Sequence, residues 1–152
     1  MTIKEYPPEV LNGQPIGAWT GEAYRRVVGA IRAELAVESL TQPHWWTLNH
    51  AAAAPGRWSR GELASRLATW EDLGLDFETV FDDLVGRGWV TELDGRLTLT
   101  DEGEAGRLRA KERLTPVLER TRDGVDPDDF VTAINVLRRV VANLGGDGDL
   151  PS

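Results

Sequence analysis

A helix-capping pattern followed by a two-residue hairpin constrains this chain more than any other feature of it. Ser59 stands three residues ahead of Glu62. A serine hydroxyl that accepts from the third helical amide, with a glutamate reaching back to the serine amide, fixes where a helix begins. The run Gly56-Arg57-Trp58-Ser59-Arg60-Gly61-Glu62-Leu63-Ala64 then turns Leu63, and Leu67 one turn later, toward a core. Further on, Trp89-Val90-Thr91-Glu92-Leu93 and Arg96-Leu97-Thr98-Leu99 flank Asp94-Gly95, a dipeptide suited to a two-residue turn because both of its residues tolerate positive φ. This order, a capped helix, a further helix and a short hairpin, is that of a helix-turn-helix running into a small wing.

The segment between the two features carries the wrong charge for reading DNA. Across residues 71 to 85 stand Glu71, Asp72, Asp76, Glu78, Asp82 and Asp83, with no Lys or Arg. Affinity for a duplex rises with each cation brought to a phosphate, and a carboxylate at the same place acts in the opposite sense. Two readings follow. In one, several of the carboxylates, Glu71, Asp72 and Asp82 foremost, face away from the groove or pair with Arg57, Arg60 or Arg66 within the lobe. In the other, the lobe has given up DNA.

Over the whole chain of 152 residues, 25 acids against 17 bases give a formal charge of −8, which argues against a protein that coats nucleic acid indiscriminately. Hydrophobic residues make up 41%, enough for one domain to bury a core without cross-links. The absence of cysteine removes disulfides, thiolate nucleophiles and thiolate metal sites. Residues 1–17 have no long apolar run and read as neither signal peptide nor membrane span, so a cytoplasmic protein without membrane contact is expected.

Helical spacing of Ala23, Val27, Ala30, Ile31, Leu35 and Ala36 predicts a long amphipathic helix over 18–39, after an extended arm at 1–17. Thr41-Gln42-Pro43 breaks it, and a second helix runs over roughly 44–53, capped by Thr41. The third starts at Ser59. The fourth carries Leu73, Phe77, Val80, Phe81 and Leu84 and ends at Gly86 to Gly88, with its start blurred by Gly74. After the hairpin, Thr100 caps a fifth helix to about residue 122, bent at Pro116, and residues 126–144 form a sixth with Phe130, Ile134, Leu137 and Val141 on one face. Residues 145–152 are expected to be disordered. The fold class is mainly α with a small β-hairpin. The first helix and the last two cannot bury their apolar faces on a three-helix unit alone, so a twofold homodimer is expected.

This arrangement resembles the MarR family of dimeric winged-helix transcriptional regulators over roughly residues 18 to 144. Four segments carry the resemblance: Leu40-Thr41-Gln42-Pro43-His44-Trp45, the Gly56 to Ala64 run, Arg87-Gly88-Trp89-Val90, and Leu97-Thr98-Leu99-Thr100-Asp101-Glu102-Gly103. It implies a winged helix-turn-helix lobe over 40–100, a dimerisation layer from 18–39 and 101–144, double-stranded operator DNA as partner, and a pocket between lobe and layer for a small aromatic effector. The chain departs from the family in its acidic reading helix and short wing. Ser59, Arg60, Thr79, Arg87 and Arg96 stand where DNA contacts transfer by position.

Candidate pocket residues are His44, Trp45, Trp46 and His50 on the second helix, with Trp19 and Tyr24 on the first. Trp45 reads foremost as a core aromatic; for Trp46 and His50, pocket and packing roles are balanced. The two histidines lack a third metal ligand at a suitable spacing, and no nucleophile, phosphate loop or paired carboxylate assembles chemistry. No cofactor, metal or enzymatic activity is therefore expected. The alternative function is a winged-helix protein that has lost DNA recognition and serves as a small-molecule binding or protein-interaction module.

Overall fold

The computed structural model describes residues 2–150 and contains seven helices and one two-stranded sheet among them. They run α1 (Pro8–Asn12), α2 (Ile16–Val37), α3 (Gln42–Ala53), α4 (Arg60–Leu67), a 3-10 turn (Ala68–Trp70), α5 (Phe77–Gly86), β1 (Val90–Leu93), β2 (Arg96–Leu99), α6 (Asp101–Arg122) and α7 (Pro127–Asn143). One compact unit extends to Val117 and a second begins at Leu118.

The core of the first unit gathers Leu35 from the end of α2, Leu40 from the turn after it, Leu48 from α3, Leu63 and Leu67 from α4, and Val80, Phe81 and Leu84 from α5. Val90 and Leu97 close it from the hairpin, and Ala110 and Leu114 from α6. Ser59 and Glu62 form the reciprocal cap that their spacing requires. Asp94 and Gly95 both take positive φ, 51° and 72°, which sets the register Val90↔Leu99 to Leu93↔Arg96. The segment before α4 also leans on β2, through Leu97 N–H to the Trp58 carbonyl at 2.8 Å and Gly56 N–H to the Leu97 carbonyl at 3.1 Å. Helix-turn-helix and wing are thereby one hydrogen-bonded body.

Two expectations shift in the first unit. The N-terminal arm is not extended throughout: Pro8 in the first turn of α1, where no amide donor is needed, helps start a short helix, and α2 begins at Ile16. Leu73 does not belong to the reading helix. Gly74 takes φ +73° and Asp76 accepts from the amides of Glu78 and Thr79, so α5 starts at Phe77 and Leu73 is left exposed in the linker. α6 runs from Asp101 to Arg122 with Pro116 inside it, as expected in extent, and the missing proline N–H removes one bond of the ladder.

In the second unit, Asp126 caps α7 and the Arg122 guanidinium lies 3.8 Å from the Phe130 ring centroid. The segment after α7, expected to be disordered over 145–152, is fastened to the helix by Arg138, whose Nε donates to the Gly148 carbonyl at 2.8 Å and whose guanidinium also meets the Asp149 carboxylate. Residues 151 and 152 lie outside the described residues. α7 holds no buried residue of its own, and Val131, Ile134, Leu137 and Val141 are exposed along it.

α6 lies hard against the root of the wing because two of its residues have no side chain. A Cβ on Gly103 would come within 1.9 Å of the Trp89 carbonyl oxygen, and one on Gly106 within 2.4 Å of the Trp89 ring. Thr100 locks the junction, donating its hydroxyl to the Gly88 carbonyl at 2.5 Å and its amide to the Trp89 carbonyl at 3.0 Å. Gly106→Ala is expected to lower stability by about 1–3 kcal/mol through overpacking, measured by denaturant unfolding, and a companion Trp89→Leu should recover part of the loss.

Candidate functional site

α5 presents Glu78, Thr79, Asp82 and Val85 to solvent, while Val80, Phe81 and Leu84 face the core. The outward face of the reading helix is therefore acidic, and a cation is brought to it from elsewhere. Arg60, at the first position of α4, reaches across to Glu78 at 2.8 Å and Asp82 at 2.7 Å on α5, and to Glu92 on β1 at 2.5 Å. Its guanidinium also stands 5.8 Å from the Phe81 ring centroid. One fork of donors thus joins α4, α5 and the wing. The carboxylates, Glu92 first, raise the guanidinium's pKa further above its already high ordinary value. The pairing of Asp82 with Arg60 is the intralobe neutralisation weighed from sequence; Asp72 pairs instead with Arg32 at 2.7 Å, and Glu71 accepts from the amides of Leu73, Gly74 and Leu75.

The other candidate DNA contacts also have internal partners. Ser59 is the cap of α4. Thr79 donates its hydroxyl to Asp76 at 2.9 Å. Arg87 pairs with Asp83 at 2.7 Å and donates to the Glu38 and Ser39 carbonyls. Arg96 donates to Glu62 at 2.7 Å and to the Arg57 carbonyl at 3.0 Å, with its side chain still 44% exposed.

An apolar cavity of about 240 Å³ opens between α2, the start of α3 and the linker into α5. Its walls are Arg32 and Ala36, then Leu40 to Pro43 and Trp46, then Glu71, Leu73 and Leu75. Of the sequence candidates only Trp46 lines it. Trp46 meets Trp70 edge-on at 5.9 Å between centroids. At one rim Arg32 is held by Asp72 and by the Gln42 side chain at 2.9 Å. Tyr24 donates its hydroxyl to the same Asp72, which lowers the aspartate's pKa, with Arg32 adding to the effect. Trp19 sits apart, 61% exposed, beside a shallow depression with Leu11, Asn12, Gln14 and Ile16. Trp45 packs against the core. His50 is a packing residue: its Nδ1 donates to the Trp46 carbonyl at 2.8 Å, its Nε2 accepts from Arg66 at 3.2 Å, and its ring lies against Trp58 and Trp70.

His44 is buried beneath the cavity wall. Its Nδ1 accepts from the Thr41 amide at 3.1 Å, taking the place of the acidic residue in a capping box, so Nε2 carries the proton and donates to Asp83 at 2.9 Å. The part played by His44 and Asp83 was not visible in the sequence, where an i to i+3 Thr-to-His spacing does not announce a cap and a 39-residue separation does not announce a bond.

A capped helix pair feeding a hairpin, with the second helix presented outward, is a winged helix-turn-helix lobe. No family model matches the sequence, and no curated protein matches it. Solved structures do match the fold. The MarR family transcriptional regulator from Silicibacter pomeroyi is 19% identical, with 91% of this chain and 99% of that chain covered at a TM-score of 0.69. The transcriptional repressor CouR is 26% identical over 88% of this chain and 95% of that chain, TM-score 0.68; it has also been solved bound to p-coumaroyl-CoA. The MarR family protein Rv2887 of Mycobacterium tuberculosis, in complex with DNA, is 24% identical over 88% and 99% of the two chains, TM-score 0.64. The chain shares the winged-helix fold of these MarR-family structures.

Burial pushes the His44 ring below its ordinary pKa of 6.5, against the opposing pull of Asp83. The unfolded chain then binds a proton near that value which the folded chain refuses. Stability from this site is complete above pH 6.5 and declines as pH falls below it, toward the folded-state pKa. Unfolding midpoints measured on either side should show the decline in the wild type and a smaller one in His44→Asn. Arg60→Ala is expected to cost about 1–2 kcal/mol, since it leaves three carboxylates facing one another at a half-exposed site; the loss should shrink at high salt in the same unfolding assay.

Proposed function

We propose that the protein is a ligand-responsive, DNA-binding transcriptional regulator acting as a homodimer, with a small aromatic molecule as effector. The observation that carries this reading is the placement of the apolar cavity: its far wall, Glu71 to Leu75, is the linker that leads directly into α5. An occupant there touches the segment that sets where the reading helix starts. A cavity of about 240 Å³ with Trp46 on one side and Arg32 at its rim suits a flat ring bearing a polar or anionic group. CouR, a repressor, takes p-coumaroyl-CoA, and Rv2887 is seen on DNA. The unburied apolar stripe of α7 supports the dimer, since such a stripe calls for a partner.

Within this reading Arg96, on the wing and half exposed, is the strongest candidate for a phosphate contact, with Ser59 and Thr79 at the ends of α4 and α5 beside it. Arg60 and Arg87 belong to the lobe's internal pairing first. A second reading, a winged-helix module that no longer recognises DNA and binds a small molecule or a protein, is favoured by one observation. α5 holds no Lys or Arg, and the cation delivered to it is outnumbered by Glu78, Asp82 and Glu92.

Anisotropy titration of the purified protein against its upstream DNA separates the two. The regulator reading expects binding at low salt that weakens steeply as salt rises, a further loss in Arg96→Ala, and a gain of about tenfold in the Glu78→Gln/Asp82→Asn double variant from relieved repulsion. No affinity at low salt in either the wild type or the neutralised variant would leave only the second reading.

A further inference from the structure

The corner between α2 and α3 does two jobs at once. Its residues Leu40, Thr41, Gln42 and Pro43 form one wall of the cavity, and its backbone is tied to α5 by two independent chains of hydrogen bonds. The first runs from the Thr41 amide to His44 Nδ1 at 3.1 Å, and from His44 Nε2 to Asp83 Oδ2 at 2.9 Å. The second runs from the Ser39 carbonyl, which accepts from Arg87 at 2.7 Å, and from Arg87 Nε to the same Asp83 oxygen at 2.7 Å. Both chains end on one atom of the reading helix.

We infer that Asp83, through His44 and Arg87, is the positioning residue by which the state of the cavity sets the pose of α5. The inference rests on the regulator reading only for the identity of the natural occupant; the linkage itself belongs to the lobe alone.

Three features make the corner able to transmit rather than absorb a displacement. His44 is 8% exposed and both ring nitrogens are engaged, so the ring has no solvent to turn into and no spare donor to exchange. Ser39 holds φ +56° as the left-handed residue that ends α2, with its amide on the Ala36 carbonyl at 2.9 Å and the Leu40 amide on the Leu35 carbonyl at 3.0 Å, and the Arg87 guanidinium adds a bond to its carbonyl. On its other side, the Glu38 carboxylate is gripped by Arg109 at 3.3 Å and Arg113 at 3.1 Å from α6. The corner is thus anchored to α6 and α5 together. An occupant that pushes Leu40 to Pro43 outward moves Thr41 and Ser39, and the displacement arrives at Asp83, in the middle of α5, from two directions. A direct push on Glu71 to Leu75 would reach only the start of that helix. His44 itself does not line the cavity, so its part is positioning and not contact.

A filled cavity can be imitated without knowing the effector. Ala36 faces the cavity from α2, and Ala36→Phe places a ring inside it, with Ala36→Leu as the milder filling should the larger one not fold. Amide hydrogen exchange over Phe77–Gly86 is then measured in the full chain, without DNA or ligand, in three backgrounds: wild type, Asp83→Ala and His44→Asn. Filling should change the exchange of α5 amides around Asp83 several-fold in the wild-type background, leave them unchanged in Asp83→Ala, where both links are cut, and change them less in His44→Asn, where the Arg87 link remains. His44→Asn keeps an acceptor near the Thr41 amide while no longer reaching Asp83, and its smaller change serves as the readout if Asp83→Ala does not fold. Two results would overturn the inference: no change at α5 on filling the wild-type cavity, or an equal change in all three backgrounds, which is what a merely structural pair would give. Loss of DNA affinity in the titration above would count against the regulator reading and leave this result standing.

Discussion

Arg60 is the residue on which the lobe's electrostatics depends. Carboxylates on α5 and on the wing strand would repel one another across the gap between helix and hairpin, and a guanidinium threaded between them from α4 turns that repulsion into the bond that holds the three elements in register. The choice of arginine follows from its planar fork, which satisfies several acceptors from one position where an ammonium would favour one. The same arrangement explains how a reading helix without a basic residue can be stable. Its acidic surface is a structural feature first.

Much of this was legible beforehand. The Ser59–Glu62 cap and the Asp94–Gly95 turn are local devices, so residue type and spacing suffice to locate them, and the apolar spacings of α2, α5 and α7 placed those helices. Legibility failed where distant segments decide. Leu73 fits a 3.6-residue stripe, yet the positive φ of Gly74 and the cap at Asp76 exclude it from α5. Trp45, Trp46 and His50 share one helix, but only Trp46 faces the cavity, because the other two are claimed by the core and by the Trp58 and Trp70 rings. Trp19 and Tyr24 were grouped with them as aromatics of the first helix; one lies at a separate surface depression and the other bonds Asp72 at the cavity rim.

The cavity and the acidic reading helix are thus not separate subjects. Asp72 and Glu71 organise the linker, Asp76 starts the helix, Glu78 and Asp82 hold Arg60, and Asp83 receives His44 and Arg87. Each of the six carboxylates that made the segment look unsuited to DNA has a partner within the first unit. Their number reflects how many joints the α5 segment makes with its surroundings.

The meeting of Trp89 with Gly103 and Gly106 has a consequence for how such a chain can diverge. The indole occupies the volume that a side chain at 106 would otherwise fill, the Trp89 carbonyl that of one at 103, and the Arg87 and Arg109 guanidiniums stand 5.4 and 5.7 Å from the ring centroid. Neither partner in this fit can change alone: a side chain at 106 demands a smaller residue at 89, and a smaller residue at 89 leaves a void unless 106 grows. Across descendants of this sequence the two positions are bound to drift as a pair, a historical record of one packing contact written at sites seventeen residues apart.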